Sequence, residues 1–208
     1  MPSPYRWRNA LRVRGSIVAS LALGAGARGG VGLLLSAVAC CYSAPRRPDG
    51  GEGLLAPGAR APDLEAFDVN GVSTRLSSLR GQAALVYFYP RDGTPGCTTE
   101  ACSFRDAWQK LRSAQIAIIG VSSQSRSSHL EFQKEQRLPF PLVADESGEV
   151  QRAYGVSSGL FGYARVSFLV APGGTIAKVW PNVDPGTHVD EVLAEAARLA
   201  DASRRAVP

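Results

Sequence analysis

From Ala83 to Tyr89 the chain reads Ala-Ala-Leu-Val-Tyr-Phe-Tyr, with no charged or amide side chain. A strand with one wet face alternates apolar and polar residues, whereas a short continuous run marks a strand covered on both faces. Helices on both sides of a sheet supply that cover, so this segment points to an α/β architecture. The rest of the chain agrees. Ile116 to Val121, Phe140 to Val143, Val166 to Val170 and Thr175 to Trp180 read as further strands, the last two joined at Pro172-Gly173-Gly174. Helices are expected from about Cys97 to Arg112, over 126–137 with weak amphipathicity, as a turn at Glu149 to Tyr154, and over about 187–200. Val69-Asn70-Gly71-Val72 reads as a two-residue hairpin turn. The sum is an α/β domain with a mixed central sheet flanked by helices.

The net charge of +5 is unevenly placed. Residues 1–60 hold eight arginines against Asp49 and Glu52, while residues 61–208 hold 15 basic and 16 acidic side chains. A nucleic-acid groove needs a basic face on the domain itself, so nucleic acid is not an expected partner. The basic start, followed by apolar runs at Gly15–Ala27 and Val31–Ala39, reads as a signal, lipoprotein leader or anchor over 1–40. Neither run reaches the roughly 18–20 residues that cross a bilayer. Ala37-Val38-Ala39-Cys40 resembles a bacterial lipobox with Ala37 in place of the usual leucine. The expected location is therefore exported and membrane-associated in a bacterium, with a cytoplasmic chain as the alternative. Residues 41–56, rich in Pro and Gly, read as a flexible linker. Residues 57–208 form the expected folded domain.

The chemistry concentrates in Thr94-Pro95-Gly96-Cys97-Thr98-Thr99-Glu100-Ala101-Cys102. Cys97 follows a buried strand and a Pro/Gly loop, so it falls in the first turn of the next helix. Free N–H groups and the positive dipole end favour a thiolate there. Cys97, Ala101, Phe104, Trp108 and Leu111 form one apolar stripe, and Cys102 lies off it. Five residues of helix separate the cysteines by a rise of roughly 7.5 Å and a turn of about 140°. That puts the Cα atoms roughly 8–9 Å apart, beyond the 4.4–6.8 Å of a disulfide, so bridging requires the first turn to unwind. On the residues alone two readings stand: buried inert thiols, or a redox pair. His129 and His188 lack metal-ligand spacing, and the four-residue gap between the cysteines disfavours a thioredoxin-type motif.

The same segment, with Phe104-Arg105-Asp106, resembles the peroxiredoxins of the bacterioferritin-comigratory-protein or Prx-Q subfamily. The likeness continues in Gly120-Val121-Ser122, His129, Leu138-Pro139-Phe140-Pro141-Leu142, Asp145, Tyr154-Gly155-Val156 and Arg165-Val166-Ser167-Phe168-Leu169. Gln124 departs from an acidic residue common in the family. The resemblance implies a thioredoxin-like fold and a thiol-dependent peroxidase that needs no metal or organic cofactor. It makes Cys97 the peroxidatic cysteine and Cys102 the resolving one, joined by an intramolecular disulfide. Thr94 would contact the peroxide oxygens, and Arg165 would stabilise thiolate and transition state. Hydrogen peroxide and organic hydroperoxides are the expected substrates and thioredoxin or a similar dithiol the reductant, with a monomer the expected state. A membrane-tethered peroxide sensor and a thiol–disulfide oxidoreductase are the competing readings.

Overall fold

The computed structural model describes residues 45–205; the leader, Cys40, Cys41 and the lipidation expected there lie outside them. In chain order the elements are β1 (Glu65–Phe67), β2 (Ser73–Arg75), a 3-10 turn (Leu76–Leu79), β3 (Ala83–Phe88), α1 (Pro95–Asp106), α2 (Trp108–Ser113) and β4 (Ile116–Ser122). There follow α3 (Arg126–Gln136), β5 (Leu142–Ala144), α4 (Glu149–Tyr154), β6 (Ser158–Gly159), β7 (Gly162–Tyr163), β8 (Val166–Val170), β9 (Ile176–Trp180) and α5 (His188–Arg205). Seven strands form one sheet in the order β2-β1-β5-β4-β3-β8-β9. β3 pairs with β4, and β4 with β5, in parallel; the remaining pairings are antiparallel. The sheet is therefore mixed, with β3 near its centre.

All six residues of β3 are buried, as the uninterrupted apolar run requires. Its side chains alternate between two cores. Leu85 and Tyr87 face one that contains Phe104, Leu111, Phe132 and Val192, so α1, α2, α3 and α5 cover that side. Ala84, Val86 and Phe88 face a second with Tyr154, Val156 and Phe168. Gly120 in β4 stands beside Tyr87 in register. A Cβ there would lie 2.6 Å from Leu142 and 2.8 Å from the Tyr87 ring, so the glycine makes room for the tyrosine.

Three expectations need correction. The helix from Cys97 to Arg112 is two helices, broken at Ala107 (φ −87°, ψ 5°), which lets Trp108 turn onto Phe140 while Leu111 stays buried. The Asn-Gly hairpin has a three-residue loop, closed by Asp68 N–H to Val72 O and by Gly71 N–H to Asp68 O. Gly71 alone takes the left-handed conformation (φ 78°), and the Asp68 carboxylate accepts from the N–H groups of Asn70 and Val72. The side chain thus satisfies the turn in place of a second positive φ. Finally, the described part of the expected linker, residues 45–56, packs on the domain. Leu55 is buried and its N–H donates to Tyr154 O. The backbone at Gly53 passes so close to Gly155 that a Cβ there would meet Gly53 O at 1.7 Å. Arg47 gathers the carbonyls of Glu52 and Gly53. Periodicity missed the segment because backbone groups and one arginine hold most of it, rather than an apolar stripe.

Candidate active site

Pro95 takes the first helical position of α1, where its missing N–H costs nothing. Thr94, in extended conformation (φ −74°, ψ 148°), is the cap residue, and Cys97 is the third residue of the helix. The Thr94 hydroxyl does not cap; it donates to Arg91 O at 3.1 Å, which leaves its oxygen free to accept. Cys97 is 1% exposed and packs in the core with Tyr87 and Phe104. Arg165, between β7 and β8, donates from Nη2 to Cys97 Sγ at 3.3 Å and from Nη1 to the Glu100 carboxylate. A Cβ on Gly96 would lie 3.3 Å from that same Nη2, so glycine keeps the guanidinium path open.

Glu100 lies one turn beyond Cys97, and burial pushes its carboxyl up to about 7 against the pull of Arg165. Its Oε1 and the Tyr87 hydroxyl are buried without a protein partner. Burial, with Glu100 next in importance, raises the Tyr87 phenol far above its ordinary range. His188 is held neutral, lowered to about 4 by burial and by Arg165, and its Nε2 meets Ser167 Oγ at 2.9 Å. The site therefore sets one shared cation against a buried thiol and a buried carboxyl among aromatic rings.

Cys102 is partly exposed, and neither it nor Cys97 is in a disulfide. Its Sγ lies 3.5 Å from Gln136 Oε1 at the end of α3. Arg105 donates to Gln136 O at 2.8 Å, with its guanidinium beside the same sulfur. Cys97 and Cys102 both lie in α1, so the two sulfurs face different partners on an unbroken helix. Of the four residues singled out from sequence, Cys97 and Arg165 are in direct contact, Thr94 stands at the start of the Cys97 helix with its hydroxyl turned to Arg91 O, and Cys102 faces α3.

The AhpC/TSA family pattern matches residues 57–179. The chloroplastic peroxiredoxin Q of rice (japonica) is 38% identical over 144 residues, covering 68% of this chain and 66% of that protein. A bcp-type peroxiredoxin of Coxiella burnetii is 38% identical over 143 residues, covering 65% of this chain and 95% of its relative. The chain belongs to the AhpC/TSA family, among its Prx-Q/bacterioferritin-comigratory peroxiredoxins. The solved peroxiredoxin Q of Xanthomonas campestris superposes with a TM-score of 0.62 at 34% identity, over 70% of this chain and 96% of that one. The peroxiredoxin fold is thus the thioredoxin-like one, with its mixed sheet between helices.

Within this peroxiredoxin framework a second polar cluster fixes the loop ahead of Thr94. The Asp92 carboxylate accepts from Tyr89 Oη (2.7 Å) and Ser128 Oγ (2.6 Å) and lies 2.8 Å from His129 Nδ1. His129 Nε2 reaches Val143 O at 3.0 Å. These bonds hold the Asp92 carboxyl below its usual range despite burial. They tie the loop to α3 and β5, so residues 90–94 are braced from behind. Sequence reasoning assigned no role to Glu100, Asp92, Gln136 or Arg105. Glu100 was detectable: it stands three residues after Cys97 on the core-facing side of α1, where a carboxylate requires a buried partner. Among the described residues, no group of His, Cys, Asp and Glu is placed to hold a metal.

Proposed function

We propose that the protein is a thiol-dependent peroxidase acting on hydrogen peroxide and organic hydroperoxides. The observation that carries this reading is the Arg165 N–H at 3.3 Å from Cys97 Sγ in the first turn of α1. The thiolate is the nucleophile, and the guanidinium stands where it can pair with its charge. A solved bacterioferritin comigratory protein of Xanthomonas campestris, 33% identical to this chain, has alkyl peroxide reduction activity, which supports the substrate class. Cys97 thiolate attacks the terminal peroxide oxygen and the O–O bond breaks. The leaving oxygen takes a proton and departs as water or alcohol, and Cys97 becomes a sulfenic acid. Thr94 Oγ accepts from the peroxide O–H, while Arg165 stabilises the charge that develops on the oxygens.

The helix start then opens. Opening gives up bonds such as Thr98 N–H to Thr94 O (2.8 Å), the burial of Cys97 and its contact with Arg165, but no side-chain cap at Thr94. Cys102, whose sulfur lies beside the Arg105 guanidinium, attacks the sulfenic sulfur. The Cys97–Cys102 disulfide forms and hydroxide leaves as water. A thioredoxin-like dithiol returns two electrons by exchange. The exported, lipid- or leader-anchored location read from residues 1–40 remains part of this proposal. Cys97→Ser is expected to abolish peroxide consumption with a thioredoxin system. Cys102→Ser is expected to consume about one peroxide per chain and stop. Peptide mass analysis of the oxidised parent should find the 97–102 bond; multiple turnovers by Cys97→Ser would refute the assignment.

A further inference from the structure

Strands β6 and β7 form a hairpin with Ser158 opposite Tyr163 and Gly159 opposite Gly162, so its loop is Leu160-Phe161. Two-residue turns are usually made of Asn, Asp or Gly, which supply the backbone angles. Here the tip carries two large apolar side chains, 90% and 83% exposed. Below the tip the hairpin is firmly held. Tyr163 is buried, its hydroxyl donating to Asp145 O at 2.8 Å, and Ala164 N–H donates to Ser157 O. Gly162 (φ 106°) presses on the loop before Thr94: a Cβ there would lie 2.2 Å from Pro90 O. Three residues later comes Arg165, which contacts Cys97. The tip thus stands out from the rim of the Cys97 site on a rigid base.

We propose that Leu160 and Phe161 are a lipid-surface contact, which dips into a bilayer and presents the Cys97 site to acyl hydroperoxides within it. Two further observations favour a bilayer over a protein partner. The described chain begins at Pro45, which lines one cleft of about 400 Å³ together with Ser157 and Ala164 at the hairpin base. The sequence ahead of this point carries the apolar runs Gly15–Ala27 and Val31–Ala39. A basic side chain also stands nearby: Arg91 is exposed on the loop under Gly162. An apolar tip above an exposed arginine suits an interface with anionic headgroups. The proposal rests on the peroxidase reading and names its substrate class. The O–O bond of the acyl hydroperoxide breaks, its terminal oxygen passes to Cys97 as sulfenic acid, and the acyl alcohol takes up the proton.

The test uses the full chain with vesicles of phosphatidylcholine and phosphatidylglycerol that contain phosphatidylcholine hydroperoxide, with hydrogen peroxide assayed in parallel. Leu160→Ser with Phe161→Ser is expected to lower kcat/KM on the vesicle hydroperoxide by about tenfold or more, as two exposed apolar anchors are lost. Hydrogen peroxide turnover should stay within about twofold, because neither side chain touches the reacting atoms. In Phe161→Trp, the added emission should shift to the blue and be quenched by brominated lipid. An equal loss on both substrates would assign the tip to reductant docking, and a changed oligomeric state would assign it to a second copy; either overturns the proposal. So would an unquenched tryptophan. If the parent fails on hydrogen peroxide, the peroxidase reading falls, while the quenching result still decides the surface.

Discussion

The Arg165 guanidinium has two neighbours: the Cys97 sulfur, which needs its charge as thiolate, and Glu100, whose buried carboxyl competes for it. The planar fork answers both, Nη2 to sulfur and Nη1 to carboxylate. Arg165→Ala is expected to lower kcat/KM for hydrogen peroxide by about 10²–10³, the usual loss when one preorganised transition-state donor is removed. Arg165→Lys should recover little of it, because one ammonium cannot span both partners. Steady-state peroxide assays check both, with circular dichroism to show that the fold is kept. Arg165 was invisible to residue-by-residue reading. It lies 68 positions from Cys97, and an isolated arginine is ordinarily a surface ion pair. Only the family resemblance marked it, and only the fold shows that it is shared with Glu100.

Elements built on apolar pattern were legible, and those that bury polar atoms were less so. The runs at 83–89 and 116–121 became β3 and β4 because burial on both faces leaves one pattern. α3 read as weakly amphipathic because its buried face includes His129 and Gln133. Their polar atoms are met by Asp92 and by the carbonyls of Val143, Phe67 and Phe140, none adjacent in sequence. The fit between β4 and β3 gives a test at this scale. Gly120→Ala would push a methyl group into Leu142 and the Tyr87 ring, so it should cost about 1–3 kcal/mol by overpacking. Gly173→Ala has open space at its Cβ and a φ outside the left-handed range, so it should be near neutral. Urea unfolding midpoints compare the two.

Across the whole molecule, two buried groups give stability opposite slopes with pH. Glu100 is raised from 4.5 to about 7, so its contribution is full below 4.5 and is lost as pH rises through 7. His188 is lowered from 6.5 to about 4, so its contribution is full above 6.5 and is lost as pH falls through 4. Between these limits the two changes offset, each amounting to at most about 3 kcal/mol. Glu100→Gln should therefore gain stability relative to the parent as pH rises from 4.5 to 7. His188→Gln should gain relative to the parent as pH falls from 6.5 to 4. Chemical denaturation at half-unit pH steps reads both; parallel curves for parent and variants would show that neither carboxyl nor imidazole titrates as described.

Local pattern alone was enough for the α/β class, for the central strands β3, β4, β5, β8 and β9, and for the place of Cys97 at a helix start. These depend on local pattern: which residues are apolar, at what period, and where Pro and Gly interrupt them. Tertiary structure decided the company Cys97 keeps. Arg165, Glu100, Tyr87 and His188 come from four separate elements or loops, and the packing of α1 and α5 against the sheet brings them together around Cys97. It also decided that residues 45–56 pack rather than hang free, and that Leu160 and Phe161 stand out beside the site. A side chain's own chemistry is written in the sequence, whereas its burial and its partners depend on contacts between distant segments, and those exist only once the chain has folded.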